Sequence, residues 1–410
     1  MKALVFGVKP DRYEVPDDAN ALMQGLARTP VKLMDVDDPV HIHPDWVVTK
    51  PLLTGICGSD SKQFLLDFGD NELDNAMSSF CSFPQIMGHE VVAEVVSMGP
   101  KARGLEIGQR VVLNPWLSCG PRGISPVCPA CQEGDFSLCW NFTNGDISVG
   151  IHTGVAADAT GGYAELMPAH DSMLFPVPDD ITDEQAVLAD PFSVSLHSIT
   201  RHPPPPGGKV LVYGAGSLGS CAVAILRALY PSVEIAVVAR FDAQVALAKK
   251  FGASLVVRDE PRLEIIEQVA AWSGGVLHMP MDGLPMAYPG GIDVVYDTIG
   301  KPETFEVGVR VLKARGTLVK SGVHASARWE WSPLYFKEIS LVGSNAFATE
   351  DVEGVRKHAI EHYLDMVGQG RIELTDMLTH SYRLDEWREA FSTIANQGET
   401  GAIKVTIDLR

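Results

Sequence analysis

Three short stretches of the chain carry side chains that hold metals. GICGSD contains Cys57, Ser59 and Asp60; IMGHE contains His89 and Glu90; LADPFSVSLHSI contains Asp190. A thiolate, an imidazole and a carboxylate are ligands of the kind zinc takes, and three protein ligands leave one position open, as a catalytic site requires. Each has a plainer reading: Cys57 as a buried apolar thiol, His89 as a core histidine, Asp190 before Pro191 as a turn residue or helix cap. A second group lies in CGPRGISPVCPACQEGDFSLC, which supplies Cys119, Cys128, Cys131 and Cys139. Cys128 and Cys131 have zinc-knuckle spacing. Eight residues separate Cys119 from Cys128, so Cys119 closes a tetrahedron only if that loop folds back; otherwise the lobe holds no metal or borrows another ligand. Cys81 and Cys221 read as bystanders, Cys221 on an apolar helix where small buried thiols are common.

A different chemistry is written in LVYGAGSLGS, Leu211 to Ser220, where Gly214, Gly216 and Gly219 follow a strand pattern and open a helix pattern. That context points to a dinucleotide: Gly214 for the tight turn, Gly216 for close approach of a pyrophosphate, Gly219 for helix–strand packing. Ser217 and Leu218 begin the helix, whose unpaired N–H groups face phosphate. The next strand ends VVARFD, so Ala239 stands where an NAD site usually has a carboxylate, and Arg240 follows it. No acid there repels a 2′-phosphate and a guanidinium pairs with one. NADP is therefore expected over NAD, with Asp242 the residue that argues the other way.

These groups must be held by two kinds of architecture. The N-terminal part is rich in Gly and Pro, with short β-branched runs such as HEVVAEVVSMG and QRVVLNPW, and reads as β-rich. After the connector RHPPPPGGKV, apolar strands alternate with helices, from KVLVYGAG to EISLVGS, which predicts a parallel sheet covered on both faces and doubly wound. The loop from Gly274 to Gly291 interrupts that rhythm. The last residues return to strands and one amphipathic helix, DEWREAFSTIANQ, expected to pack back on the first domain.

The chain's 410 residues predict two domains. Hydrophobic residues are 46%, charged residues 21%, and the formal net charge is −19. Such acidity argues against nucleic acid as a partner. No apolar run reaches membrane-spanning length and none resembles a signal peptide, so no membrane association is expected. Seven cysteines, an odd number, fit reduced thiols or metal ligands and a cytoplasmic location.

Taken in this order, CGSD, GHE, GGYAE (Gly161 to Glu165), Asp190–Pro191, GAGSLG, GTLVKSG and LVGS resemble the zinc-dependent medium-chain dehydrogenase family, which includes alcohol, polyol and threonine dehydrogenases. The resemblance covers nearly the whole chain. It implies an α/β protein: a GroES-like β-rich catalytic domain over residues 1–185, completed by 346–410, and a doubly wound Rossmann domain over 186–345. It implies Cys57 and His89 as catalytic zinc ligands, Asp190 in the place of the variable third ligand, and Glu90 behind the metal, able to enter its shell. Polyol-type members have Glu-Pro where this chain has Asp190–Pro191. Asp60 is placed to hold the second nitrogen of His89, and the four lobe cysteines correspond to a structural zinc site.

The same resemblance implies the reaction: hydride exchange between a nicotinamide cofactor and a small alcohol, polyol or matching carbonyl. An alkoxide donates hydride far better than an alcohol, and zinc lowers the pKa of bound water from about 15.7 to about 7. The proton is expected to leave through Ser59. In the family the relay often ends at a histidine; here Lys62 occupies that place, and with a free pKa of about 10.4 it suits binding of a substrate or ribose oxygen better than proton transfer. A non-catalytic dinucleotide sensor on the same fold is the alternative, since fold alone does not fix function. A homodimer or homotetramer is expected.

Overall fold

The computed structural model describes residues 1–67, 76–323 and 329–410; part of the stretch FLLDFGDNELDNAMSSF, residues 64–80, lies outside them. The chain forms two compact units, Met1–Asp190 with Phe347–Arg410, and Pro191–Ala346.

The first unit is β-rich. Its seven-stranded sheet runs in the order Leu378–Arg383, Lys404–Asp408, Trp46–Gly55, Glu90–Met98, Arg110–Leu113, Leu174–Pro176, with Met167–His170 also paired to Trp46–Gly55. β-branched residues of Trp46–Gly55, Glu90–Met98 and Arg110–Leu113, among them Val47, Val91, Val95 and Val111, fill one core with Trp46 and Met167. A second core joins Phe6, Phe64, Tyr163, Trp387 and Phe391, with Phe64 and Phe391 stacked at 4.2 Å. That stack fixes the helix Gly58–Phe64 against the amphipathic helix Trp387–Ala395. The strand Lys404–Asp408 pairs with Trp46–Gly55, Thr406 opposite Gly55, so the end of the chain completes the sheet that begins near its start. A further helix, Ala359–Gly368, was not expected from sequence.

The second unit is a six-stranded parallel sheet, ordered Leu255–Arg258, Glu234–Ala239, Lys209–Tyr213, Ile292–Asp297, Leu312–Lys320, Ser340–Gly343. The central strands Lys209–Tyr213, Glu234–Ala239 and Ile292–Asp297 are mostly apolar and buried, and helices Ser217–Leu229, Asp242–Lys250, Arg262–Ser273 and Pro302–Val311 alternate with the strands of the sheet. The strand order reverses direction beside Lys209–Tyr213, which creates a topological switch point where this strand meets the glycine-rich turn. The interrupting segment Gly274 to Gly291 forms a short antiparallel ladder, Leu277–His278 against Met286–Ala287. Among the described residues no helix is long and apolar enough to cross a membrane.

Candidate active site

The site is built where two strand ends meet one helix start. The strand Trp46–Gly55 delivers Cys57 to the amino end of the helix Gly58–Phe64. Gly88, at φ +91°, turns the chain into the strand Glu90–Met98; a side chain there would meet the Tyr163 ring at 2.8 Å. This turn presents His89 and Glu90 beside Cys57. One ligand atom from each of Cys57, His89 and Glu90 lies within 4.8 Å of the others.

The groups behind them are closely tied. Asp60, 1% exposed, accepts from Tyr163 Oη at 2.8 Å and from the Cys57 N–H at 3.1 Å. Its Oδ1 stands 3.5 Å from His89 Nδ1, at ion-pair distance but too long for a good hydrogen bond. Burial alone would raise the Asp60 carboxyl, yet His89, Tyr163 and the Cys57 amide hold it below its usual range. Burial alone would lower His89, while Asp60 and Cys57 hold it well above its usual range. The surroundings therefore favour positive charge at this point. Glu90 pairs with the ammonium of Lys404, which also donates to the Ile56 carbonyl at 3.2 Å. Asp190, in the first turn of the helix Ala189–Arg201, is buried but lies outside the 4.8 Å set. Burial and the charge of Glu90 push its carboxyl up to about 7. Glu90, Asp190 and Cys57, all buried or half-buried, act on one lysine, an arrangement that fits a bound cation.

Ser59 is exposed in the first turn of the helix that starts at Cys57, and Lys62, half-buried, follows one turn later. Two residues of the site, Lys404 and His152, had no signal in the sequence, and Tyr163 was flagged only as part of the motif GGYAE, without a role. The His152 ring lies 4.6 Å from that of His89 and stands edge-on to Trp116 at 5.8 Å. Burial, with the charge of His89 second, lowers its imidazole to about 3, so the ring is neutral near pH 7.

Cys119, Cys128, Cys131 and Cys139 converge within 4.8 Å of one another. The eight-residue loop between Cys119 and Cys128 folds back around Arg122, which is fully buried and donates to the carbonyls of Leu117, Asn144, Ile147, Ser148 and Gly150 at 2.6–3.1 Å. Cys119 Sγ accepts from the Cys128 N–H at 3.3 Å and from Asn141 Nδ2 at 3.2 Å, bonds that favour a thiolate, while burial outweighs them and holds the thiol above its usual range. Hydrogen bonding from Cys139 draws Cys131 down to about 5. Four thiols converging within this distance suit a tetrahedral zinc.

In the second unit Gly216 caps the helix Ser217–Leu229. A Cβ on Gly216 would meet nothing within 4 Å, whereas one on Gly219 would sit 1.9 Å from the Gly214 carbonyl. Gly219 is thus a packing glycine and Gly216 borders an open cradle at a helix amino end, a place suited to pyrophosphate. Ser217 and Leu218 form the first turn, with the Leu218 carbonyl accepting from Ser195 Oγ at 2.8 Å. Ala239 is buried; Arg240 is exposed, its guanidinium 5.2 Å from the Phe241 ring centre. Asp242 is paired with Arg258.

Two family models match the chain: the alcohol dehydrogenase GroES-like domain over residues 43–179 and the zinc-binding dehydrogenase domain over residues 217–361. The chain belongs to the zinc-dependent medium-chain dehydrogenases. This dehydrogenase is 26% identical over 388 residues to D-arabinitol dehydrogenase 1 of Uromyces fabae, covering 94% of this chain and 93% of that one. It is 29% identical over 387 residues to an L-threonine 3-dehydrogenase of Paraburkholderia xenovorans, covering 93% and 97%. An Escherichia coli short chain alcohol dehydrogenase complexed with NADH superposes with a TM-score of 0.75 at 20% identity, covering 100% and 99% of the two chains. A putative zinc-binding dehydrogenase of Sinorhizobium meliloti bound to NADP has a TM-score of 0.69 at 25% identity, covering 94% and 97%. The dehydrogenase is accordingly an oxidoreductase of small-molecule alcohols that uses zinc and a nicotinamide cofactor.

Proposed function

We propose that this dehydrogenase oxidises a small polyol, or reduces the matching carbonyl, with NADP as its hydride partner. The observation that carries the reading is the convergence of Cys57, His89 and Glu90 within 4.8 Å in a pocket whose charges favour a cation. Those three residues would hold the catalytic zinc, with Asp190 a further carboxylate from the next helix. When bound, zinc supplies Lewis-acid stabilisation of the negative charge that builds on the substrate oxygen. The remaining work falls to the protein. Asp60, itself fixed by Tyr163 and the Cys57 amide, orients the His89 ring. Lys404 balances Glu90 and keeps the cluster from carrying excess negative charge. Ser59 takes the substrate proton toward solvent, and Lys62 binds a substrate or ribose oxygen. Cys119, Cys128, Cys131 and Cys139 would hold a structural zinc. A nucleotide sensor has no use for a buried donor cluster of this kind.

Support for a polyol comes from D-arabinitol, sorbitol and (R,R)-butanediol dehydrogenases among the relatives. Arg240 has no carboxylate partner among the described residues and Asp242 is engaged by Arg258, which supports NADP. Ser340–Gly343 is an edge strand, with Leu341 38% exposed and Tyr335 and Phe336 nearby at 86% and 55%, which supports a homodimer or homotetramer. Seven cysteines present as thiols and not as disulfides support a cytoplasmic location. The test is elemental analysis of unchelated protein with turnover on a panel of polyols, for wild type and Cys57→Ala. About two zinc ions per chain in wild type, one in the variant, and a rate lower by at least about 1,000-fold are expected. Full turnover by Cys57→Ala, or no transition metal in active wild type, overturns the reading.

A further inference from the structure

We propose that His152 is the specificity residue for a second substrate hydroxyl, on the carbon next to the one that reacts. The inference rests on the function proposed above and adds which feature of a polyol is recognised.

Position is the first argument. The His152 ring centre is 4.6 Å from that of His89, yet His152 lies outside the set of donors that converge within 4.8 Å. It is beside the candidate metal ligands without being one. A substrate oxygen held at that cluster therefore leaves its neighbouring carbon's hydroxyl within reach of the adjacent ring.

Hydrogen bonding is the second. His152 Nδ1 is 2.7 Å from the Thr153 carbonyl. A carbonyl only accepts, so Nδ1 carries the hydrogen and Nε2 presents a lone pair. No partner for Nε2 is found among the described residues. An acceptor left without a donor beside a reaction centre selects ligands that bring an O–H to it; a monoalcohol leaves it unmatched.

Rigidity is the third. The Trp116 indole meets the ring edge-on at 86°, and Trp116 is itself packed against Phe142 and Phe347. The backbone is tied on both sides of the ring: Leu117 N–H donates to Ile151 O at 3.1 Å and Thr153 N–H to Pro115 O at 2.8 Å. From the metal lobe, Arg122 holds the Gly150 carbonyl at 2.6 Å. The acceptor is thus set in place before substrate arrives, which is what discrimination by one hydrogen bond requires.

The test compares matched substrates that differ by one neighbouring hydroxyl: 2,3-butanediol against 2-butanol, and 1,2-propanediol against 2-propanol. Wild type is expected to favour the diol member. His152→Phe keeps a flat ring against Trp116 and His89 and is expected to lower kcat/KM for the diols about 10- to 100-fold, mainly through KM, with the monoalcohols within about threefold. His152→Gln, which restores an acceptor, is expected to recover part of the loss and serves if the Phe variant fails to fold. As a readout apart from turnover, 2,3-butanediol should raise the melting temperature of the zinc-loaded wild type and not of His152→Phe, with zinc content equal in both. Equal losses on both members of a pair, or loss of zinc in either variant, overturns the assignment of His152 alone. Zinc-loaded wild type that turns over no member of the panel overturns the proposed function, and this inference with it.

Discussion

The Lys404 ammonium is paired with the Glu90 carboxylate, and both side chains are only 2% exposed. Removing one member leaves the other charged, buried and alone. Lys404→Met is therefore expected to lower unfolding free energy by about 3–5 kcal/mol, and adding Glu90→Gln to recover at least half of that. Urea denaturation of the two variants checks it. Burial acts to lower the lysine, but Glu90 and Cys57 outweigh it and the net shift is upward. A raised pKa means the stabilisation is complete below the unfolded value of about 10.4 and fades only as pH climbs through the native value. The pair is thus expected to contribute fully across the neutral range.

Gly216 and Gly219 separate packing from ligand approach. Gly219→Ala places a Cβ 1.9 Å from a backbone oxygen and is expected to cost about 1–3 kcal/mol of stability. Gly216→Ala meets open space, so its melting temperature should stay near wild type while KM for the nucleotide rises about tenfold. Thermal melts and cofactor titrations on the two variants give the answer; a Gly216→Ala protein with wild-type nucleotide affinity contradicts the assigned cradle.

Arg240 is the residue on which cofactor choice turns. Arg240→Ala is expected to reduce kcat/KM for NADP by about 10- to 100-fold and to leave NAD within about threefold. The comparison requires only the two cofactors at fixed substrate. Wild type that prefers NAD removes the premise.

The four-cysteine lobe should behave differently from the catalytic cluster. Cys119→Ser is expected to drop zinc content from about two to about one per chain and to lower the melting temperature, while kcat at low temperature changes less than about threefold. Elemental analysis beside melting curves and initial rates checks this.

Much of the fold was legible because its signals are local. Continuous apolar strands alternating with helices specified the parallel sheet, and a glycine spacing between strand and helix marked its switch point. The sequence also pointed to Cys57, His89 and Glu90, which the fold brings together, and to Asp190, which it leaves outside the tightest set. Lys404 and His152, and the bond that Tyr163 of GGYAE makes to Asp60, were illegible for a physical reason. Each reaches the site through strand pairing or loop packing between residues far apart in the chain, and a lysine in the alternating run AIKVTIDL looks like a solvent-facing position. Arg122 was hidden likewise: its worth lies in five carbonyls that only the folded lobe assembles.

The strand that carries Lys404 lies beyond the whole second unit in chain order, yet it is laced into the sheet of the first. During synthesis on the ribosome, then, Cys57, His89 and Glu90 emerge early but wait for their counter-charge until the nucleotide-binding unit has been translated. The charge balance of this cluster is therefore completed late in synthesis, and a chain stalled before residue 404 would hold Glu90 without its counter-charge.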